Sequence, residues 1–200
     1  MINKYRNWIN QTYDSLLINK EYLNNLDQQL GDGDHGSAIL KGIIRARDII
    51  NETKKKNLSE IMTGLSSSMR NEMGGASGIL TTIFFDESGK INVFKLNETL
   101  LQIFNSTTLK IIKRGKVNVG DKSILDIYYP INEYIKKNFQ NFNQNKKYIL
   151  ELLEKSVFKT KGMKAKVGRA KFLSDKGIGY IDPGAKSSEI ILKNYFNNIL

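Results

Sequence analysis

The sequence predicts an all-α domain. Apolar residues recur at the spacing of one helix face over most of the 200 residues, and only two prolines interrupt them. No run alternates apolar and polar residues as a half-buried strand would. Residues 5–17 open the pattern, with Trp8, Ile9, Tyr13, Leu16 and Leu17 on one side. Residues 39–50 repeat it through Ile39, Ile43, Ala46, Ile49 and Ile50. Residues 58–69 follow, with Asn57 placed to cap the first turn. The mostly apolar stretch 78–85 reads as a short helix, although 80–85 also fits a buried strand by periodicity alone. Helical patterns then cover 93–112, 121–139, 147–158, 167–173 and 185–200, and Asp121 stands where it would cap the second of these. The polar runs 86–90 and 141–147 read as connections inside one domain spanning 1–200. That makes about eight or nine helices whose apolar stripes face a shared core.

Composition removes several classes of function. There is no cysteine, which excludes disulfides and thiolate metal sites, and a lone histidine makes a structural zinc site a poor fit. The first residues carry no signal-like apolar run and no stretch approaches a membrane span, so a soluble cytoplasmic protein is expected. The net charge of +11 comes from lysines spread through a Lys/Asn/Ile-rich background. The only uninterrupted basic triplet is Lys54-Lys55-Lys56 and the densest basic stretch is 155–171, whereas a nucleic-acid module more typically clusters its basic residues and interleaves aromatics. No nucleic-acid partner is expected, and a basic helical module that binds nucleic acid stands as the non-enzymatic alternative.

Chemistry concentrates in Gly31-Asp32-Gly33-Asp34-His35-Gly36, with Asp27 just upstream. Carboxylate oxygens on a glycine-bent backbone suit Mg²⁺, which takes one or two carboxylates plus water and substrate phosphates. A polar turn with aspartate caps would use the same residues. An EF-hand does not fit, because the twelfth position counted from Asp32 is Ile43 where a bidentate Glu is needed. The P-loop signature is absent as well. Gly74-Gly75-Ala76-Ser77-Gly78 precedes an apolar helix and could admit a phosphate to its free N–H groups, or simply form a tight turn. In Gly177-Ile178-Gly179-Tyr180-Ile181-Asp182-Pro183-Gly184-Ala185, Asp182 suits an N-cap and Pro183 the first helical position. Arg169 is either a surface arginine or a planar fork of donors for phosphate.

Taken in order, Leu26-Asp27 with GDGDHG, GGASG, Arg114-Gly115 with GDKS, Gly168-Arg169-Ala170 and DPGA resemble the nucleotide-binding L domain of dihydroxyacetone kinases. The resemblance implies an up-and-down barrel of eight antiparallel helices, with ADP or ATP and two Mg²⁺ bound at one end. It implies Asp27, Asp32 and Asp34 as metal ligands. His35, Gly36, Ser37 and Ala38 would meet the nucleotide phosphates. Ala76, Ser77, Gly115, Ile124, Arg169, Asp182, Pro183 and Gly184 would complete the nucleotide site, with Ile124 a shape contact only. Two departures stand out: Ala38-Ile39 where the family has Asn-Met, and Lys171-Phe172-Leu173-Ser174-Asp175-Lys176 in place of Ser-Tyr-Leu-Gly-Glu-Arg.

An ATP-dependent family member carries its substrate domain in the same chain. The present length resembles instead the free-standing L subunit of the phosphoenolpyruvate-dependent system. Its expected partners are a dihydroxyacetone-binding K subunit and a phosphohistidine-carrying M subunit of the phosphotransferase system, and a homodimer is compatible with the same reading. Phosphate would pass through bound ADP, so His35 is not the phosphorylated residue. The alternative within the family is a diverged paralogue that serves another small hydroxylated substrate.

Overall fold

In the computed structural model, residues 1–54 and 57–200 are described, apart from the side chains of Ala76, Ser77, Val93 and Asn143. Lys55 and Lys56 of the basic triplet thus lie outside the described residues. Eight α-helices follow one another: α1 (Ile2–Gln28), α2 (His35–Glu52), α3 (Leu58–Met73), α4 (Gly75–Ser88), α5 (Leu96–Gly115), α6 (Leu125–Lys137), α7 (Lys146–Thr160) and α8 (Pro183–Ile199). Short 3₁₀ turns occupy Val93–Lys95, Phe142–Asn145 and Ala170–Phe172, and there is no strand among the described residues. Each helix packs on the next, and α8 returns to α1, so the helices close into a ring. Short links between consecutive packed helices make neighbours antiparallel, and across the long α7–α8 link the Thr160–Asp182 and Lys146–Asn197 hydrogen bonds join opposite ends of the two helices. The expected eight-helix up-and-down barrel is the observed fold.

Aromatic side chains fill the ring. Trp8 is fully buried, stacks on Phe85 at 5.0 Å and meets Tyr195 edge-on at 4.9 Å. Its indole N–H donates to the carbonyl of Ile191 at 3.1 Å, which ties α1 to α8 where the ring closes. Phe84 and Phe104 extend the cluster toward Tyr128 and Phe196. Truncating one such ring costs about 3–5 kcal/mol, so this cluster is the main anchor of the barrel. The α4 segment is a helix rather than a strand. It is apolar nearly all round because it is buried nearly all round, and Thr82 Oγ1 donates back to the Gly78 carbonyl at 2.7 Å.

Four sequence-based boundaries shift. Helix α1 runs well beyond 5–17 because Leu23 continues its buried face. The run 86–90 is not a polar connection: Asp86, Glu87 and Ser88 belong to α4. The Glu87 side chain is 2% exposed, ion-paired with Lys90 at 2.8 Å and with Lys110 of α5. Residues 167–173 do not form an α-helix. Gly168 adopts φ +65°, and only the turn Ala170–Phe172 is helical. Asp121 does not cap α6, which begins at Leu125; its carboxylate accepts from the Asn118 N–H at 2.7 Å and pairs with Lys166 at 3.1 Å.

An up-and-down ring delivers every second connection to the same end. The α1–α2, α3–α4, α5–α6 and α7–α8 connections therefore share one mouth, and residues from all four line a single cavity there.

Candidate functional site

The α1–α2 turn builds the carboxylate cluster. Asp27, in the last turn of α1, points one carboxylate oxygen at the N-terminus of α2, accepting from the N–H of Asp34 at 3.0 Å and of His35 at 3.2 Å. These are two of the first-turn donors that a helix leaves unpaired. Gly31 leaves room for that carboxylate, since a methyl there would lie 2.7 Å from Asp27 Oδ1. Gly33 turns the chain at φ +78°, which an L side chain rarely adopts. One oxygen each from Asp27, Asp32 and Asp34 lie within 4.8 Å of one another, with Asp27 half-buried and the other two exposed. Three hard oxygen donors this close fit a divalent cation of the Mg²⁺ kind. The Arg169 guanidinium reaches across from the α7–α8 connection and pairs with Asp32.

Behind the cluster lies a cavity of about 560 Å³. Its size is that of a small-molecule or nucleotide pocket. Asp27, Asp32, Asp34, His35, Ala38, Gly115, Ile124, Arg169, Asp182, Pro183 and Gly184, all expected from the sequence, line it. Gly36 and Ser37 do not. Gly36 instead lets α1 and α2 touch: a methyl on it would lie 2.1 Å from the Lys20 carbonyl. Ser37 faces Asn24 of α1, which accepts from the Ser37 N–H at 3.0 Å and donates to its hydroxyl at 3.1 Å. The side chains of Ala76 and Ser77 lie outside the described residues, while their backbone forms the first turn of α4.

The helix starts at this mouth are unequally occupied. At α2 the N–H groups of residues 34, 35 and 37 already serve Asp27 and Asn24. At α8 the Asp182 side chain accepts from the Ala185 N–H at 2.7 Å, the N-cap expected, with Pro183 in the first turn. At α4 the Gly74 cap provides no side-chain hydrogen bond. At α6 the Leu125 N–H goes to Ser123 Oγ at 3.2 Å, so among the described residues the α4 start is the one best suited to receive an anion.

Two titratable groups are set by burial. His35 is 5% exposed, and burial lowers its pKa against the opposing pull of Asp27 and Asp34. Its Nε2 lies 2.9 Å from Ser187 Oγ, whose own proton goes to the Gly184 carbonyl, so the network assigns the imidazole proton to Nε2. His35 is thus a neutral joint between α2 and α8. Asp182 is pushed up to about 7 by burial, with the Ala185 N–H and Lys122 opposing and the nearby Asp126 and Asp27 charges adding to the rise.

Sequence reasoning gave no role to Lys122 or Asp126. Lys122 sits in the cavity wall, and Asp126 gathers the α5–α6 turn by accepting from the N–H of Gly120 at 2.6 Å and of Ser123 at 2.8 Å. The signal available was only an aspartate beside a GDKS turn, which any helix start can show.

Residues 29–197 match the family described as the DAK2 domain. The chain belongs to that family. This DAK2 domain is 31% identical over 186 residues to the ADP-binding subunit DhaL of a PEP-dependent dihydroxyacetone kinase from Listeria innocua, covering 92% of the present chain and 90% of the relative. It is 30% identical over 188 residues to the corresponding Escherichia coli subunit, covering 90% and 89%. In structure it resembles the dihydroxyacetone kinase of C. freundii in complex with AMP-PNP and Mg²⁺, with a TM-score of 0.70 at 20% identity. That match covers 96% of the DAK2 domain but 33% of the larger kinase, and it speaks for the fold. No helix among the described residues is long and apolar enough to cross a membrane.

Proposed function

We propose that this DAK2 domain binds ADP with Mg²⁺ at the barrel mouth and acts as the nucleotide-carrying subunit of a phosphoenolpyruvate-dependent dihydroxyacetone kinase. One observation carries the reading: three carboxylates within 4.8 Å sit on the rim of a nucleotide-sized cavity. The relatives described as ADP-binding subunits, about as long as this chain, support it.

Asp27, Asp32 and Asp34 would hold the cation, and the family resemblance argues for a pair of Mg²⁺ ions. Bound Mg²⁺ supplies charge neutralisation for phosphate oxygens, the main requirement of phosphoryl transfer. The chain supplies alignment. The uncapped turn of α4 presents backbone N–H groups. The Arg169 fork, paired with Asp32, matches a phosphate as well as a carboxylate. Ile79, Leu80 and Ile124 give the cavity an apolar wall. His35, neutral and tied to Ser187, organises the site and is not the phosphate carrier. The phosphate donor would be a phosphohistidine M subunit, and the ketone would be held by a K subunit.

Calorimetry with ADP, with and without Mg²⁺, tests the binding half, and equal affinity after EDTA treatment would sink the metal role. A reconstituted assay with labelled phosphoenolpyruvate tests the rest. Turnover is expected only with K and M subunits present, and label passed to dihydroxyacetone by this chain alone would refute partner dependence. Segment 171–176 is exposed beside the mouth and departs from the family pattern, which favours one second reading, a paralogue with another acceptor. Label that reaches ADP but never dihydroxyacetone would support it.

A further inference from the structure

The α7–α8 connection, 161–182, is the longest in the fold, yet it carries Arg169 and ends in the Asp182-Pro183-Gly184 turn. It contains one 3₁₀ turn and many exposed residues, and most of the backbone hydrogen bonds within it close short local turns. Such a segment has little of its own to hold it over a cavity. Its apolar support is the small cluster of Leu30, Ala165 and Ala170, with Val167 and Ile181 packed against the main core.

Lys122, from the α5–α6 turn, reaches under it. The ammonium donates to the carbonyls of Thr160 at 3.0 Å, Gly177 at 2.6 Å and Tyr180 at 2.6 Å. These acceptors lie at the end of α7, inside the connection and just before α8. An ammonium has three donors, and all three are spent. Although Lys122 lines the cavity, no N–H remains for a phosphate. The residue is 2% exposed and adopts φ +62°. A lysine in that left-handed conformation is strained, and burying its charge costs more. The left-handed backbone serves the α5–α6 turn, where the Lys122 N–H donates to Asp126. The ammonium's partners are the three carbonyls outside that turn.

We propose that Lys122 is a positioning residue that clamps the 161–182 segment so that Arg169, Asp182, Pro183 and Gly184 stay over the cavity. Its service to nucleotide binding rests on the function proposed above, whereas the clamp itself does not.

The test compares wild type with Lys122→Asn and Lys122→Met by amide hydrogen exchange without nucleotide, then by Mg-ADP calorimetry. Asparagine suits the left-handed backbone, so K122N removes the amine without adding strain. In wild type, the Ala165 and Gly179 amides, bonded to the Lys176 and Lys161 carbonyls, should be protected. Their exchange at the unprotected rate would overturn the clamp even if no variant folds. In K122N, exchange within 161–182 should rise at least tenfold while the amides of α3 and α4 stay unchanged. The Mg-ADP Kd of the folded protein should rise at least tenfold; simple destabilisation would lower Tm without that change. Unchanged exchange in the segment overturns the proposal. Faster exchange with an unchanged Kd overturns the positioning role. Wild type that fails to bind Mg-ADP overturns the nucleotide reading instead, and the exchange result still decides the clamp.

Discussion

Asp27 and Asp32 belong to one carboxylate cluster but stand in different structural positions, and replacing each by alanine separates metal binding from folding. Asp27 accepts two N–H groups at the start of α2. Losing a hydrogen bond to a charged acceptor costs about 1.5–3 kcal/mol when buried, and water reaches this turn, so roughly 2–3 kcal/mol for the pair is expected from the low end of that range. At about 2–4 °C per kcal/mol for a chain of this size, Asp27→Ala should lower Tm by roughly 5–10 °C. Asp32 is exposed and, among the described residues, is partnered by Arg169, whose side chain is 68% exposed. An exposed pair contributes about 0–1 kcal/mol, so Asp32→Ala should leave Tm within roughly 4 °C. Melting by circular dichroism in EDTA reads this difference with no cation present. Calorimetry should then show EDTA-sensitive ADP binding lost in both variants. A drop in Tm for Asp32→Ala as large as that for Asp27→Ala would make the cluster a structural turn. Retained EDTA-sensitive binding in Asp32→Ala would remove it from the cation site.

Gly36→Ala drives a methyl to 2.1 Å from the Lys20 backbone carbonyl, so α1 and α2 must part, at a cost of at least about 1–3 kcal/mol. Gly64→Ala, with nothing within 4 Å in the interior of α3, should be neutral or stabilising by about 0.5–1 kcal/mol; equal melting temperatures for the two would refute the packing argument. Asp182 holds its proton up to about 7 when folded, against about 3.9 for an unfolded aspartate. Between those values the folded chain binds more protons than the unfolded one, so this group's contribution to stability falls as pH rises from about 4 to about 7 and is level above. Denaturant midpoints measured without cation should therefore fall less steeply with pH in Asp182→Asn than in wild type, and parallel profiles would refute the assignment.

The fold was legible because helix periodicity is a local property, and Asn57 and Asp182 cap their helices as their positions suggest. What escaped was non-local. Glu87 lies in a run that reads as solvated, and its burial depends on Lys110, one helix further on. Gly36 and Ser37 sit in the most chemical-looking segment of the chain, yet they answer to Lys20 and Asn24 across the α1–α2 contact. The 167–173 stretch has a helical spacing of apolar residues, but Gly168 turns left-handed. Its neighbour Gly177 offers its carbonyl to Lys122, fifty-five residues earlier in the chain.

The site shows why weak motifs were jointly informative. GDGDHG, GGASG, GDKS and DPGA begin at residues 31, 74, 120 and 182, roughly a pair of helices apart each time. Each alone reads as a turn, and three of them adjoin a helix start of ordinary kind. In a closed ring of antiparallel helices, however, every second connection returns to the same mouth. A sequence that places its glycines and aspartates in those connections has placed them around one cavity. The even-numbered helices also begin there, which aims the N–H groups of α4 at the space that Asp27, Asp32 and Asp34 border. The order and spacing of the motifs therefore carry information that none of them holds singly, and topology converts it into a site.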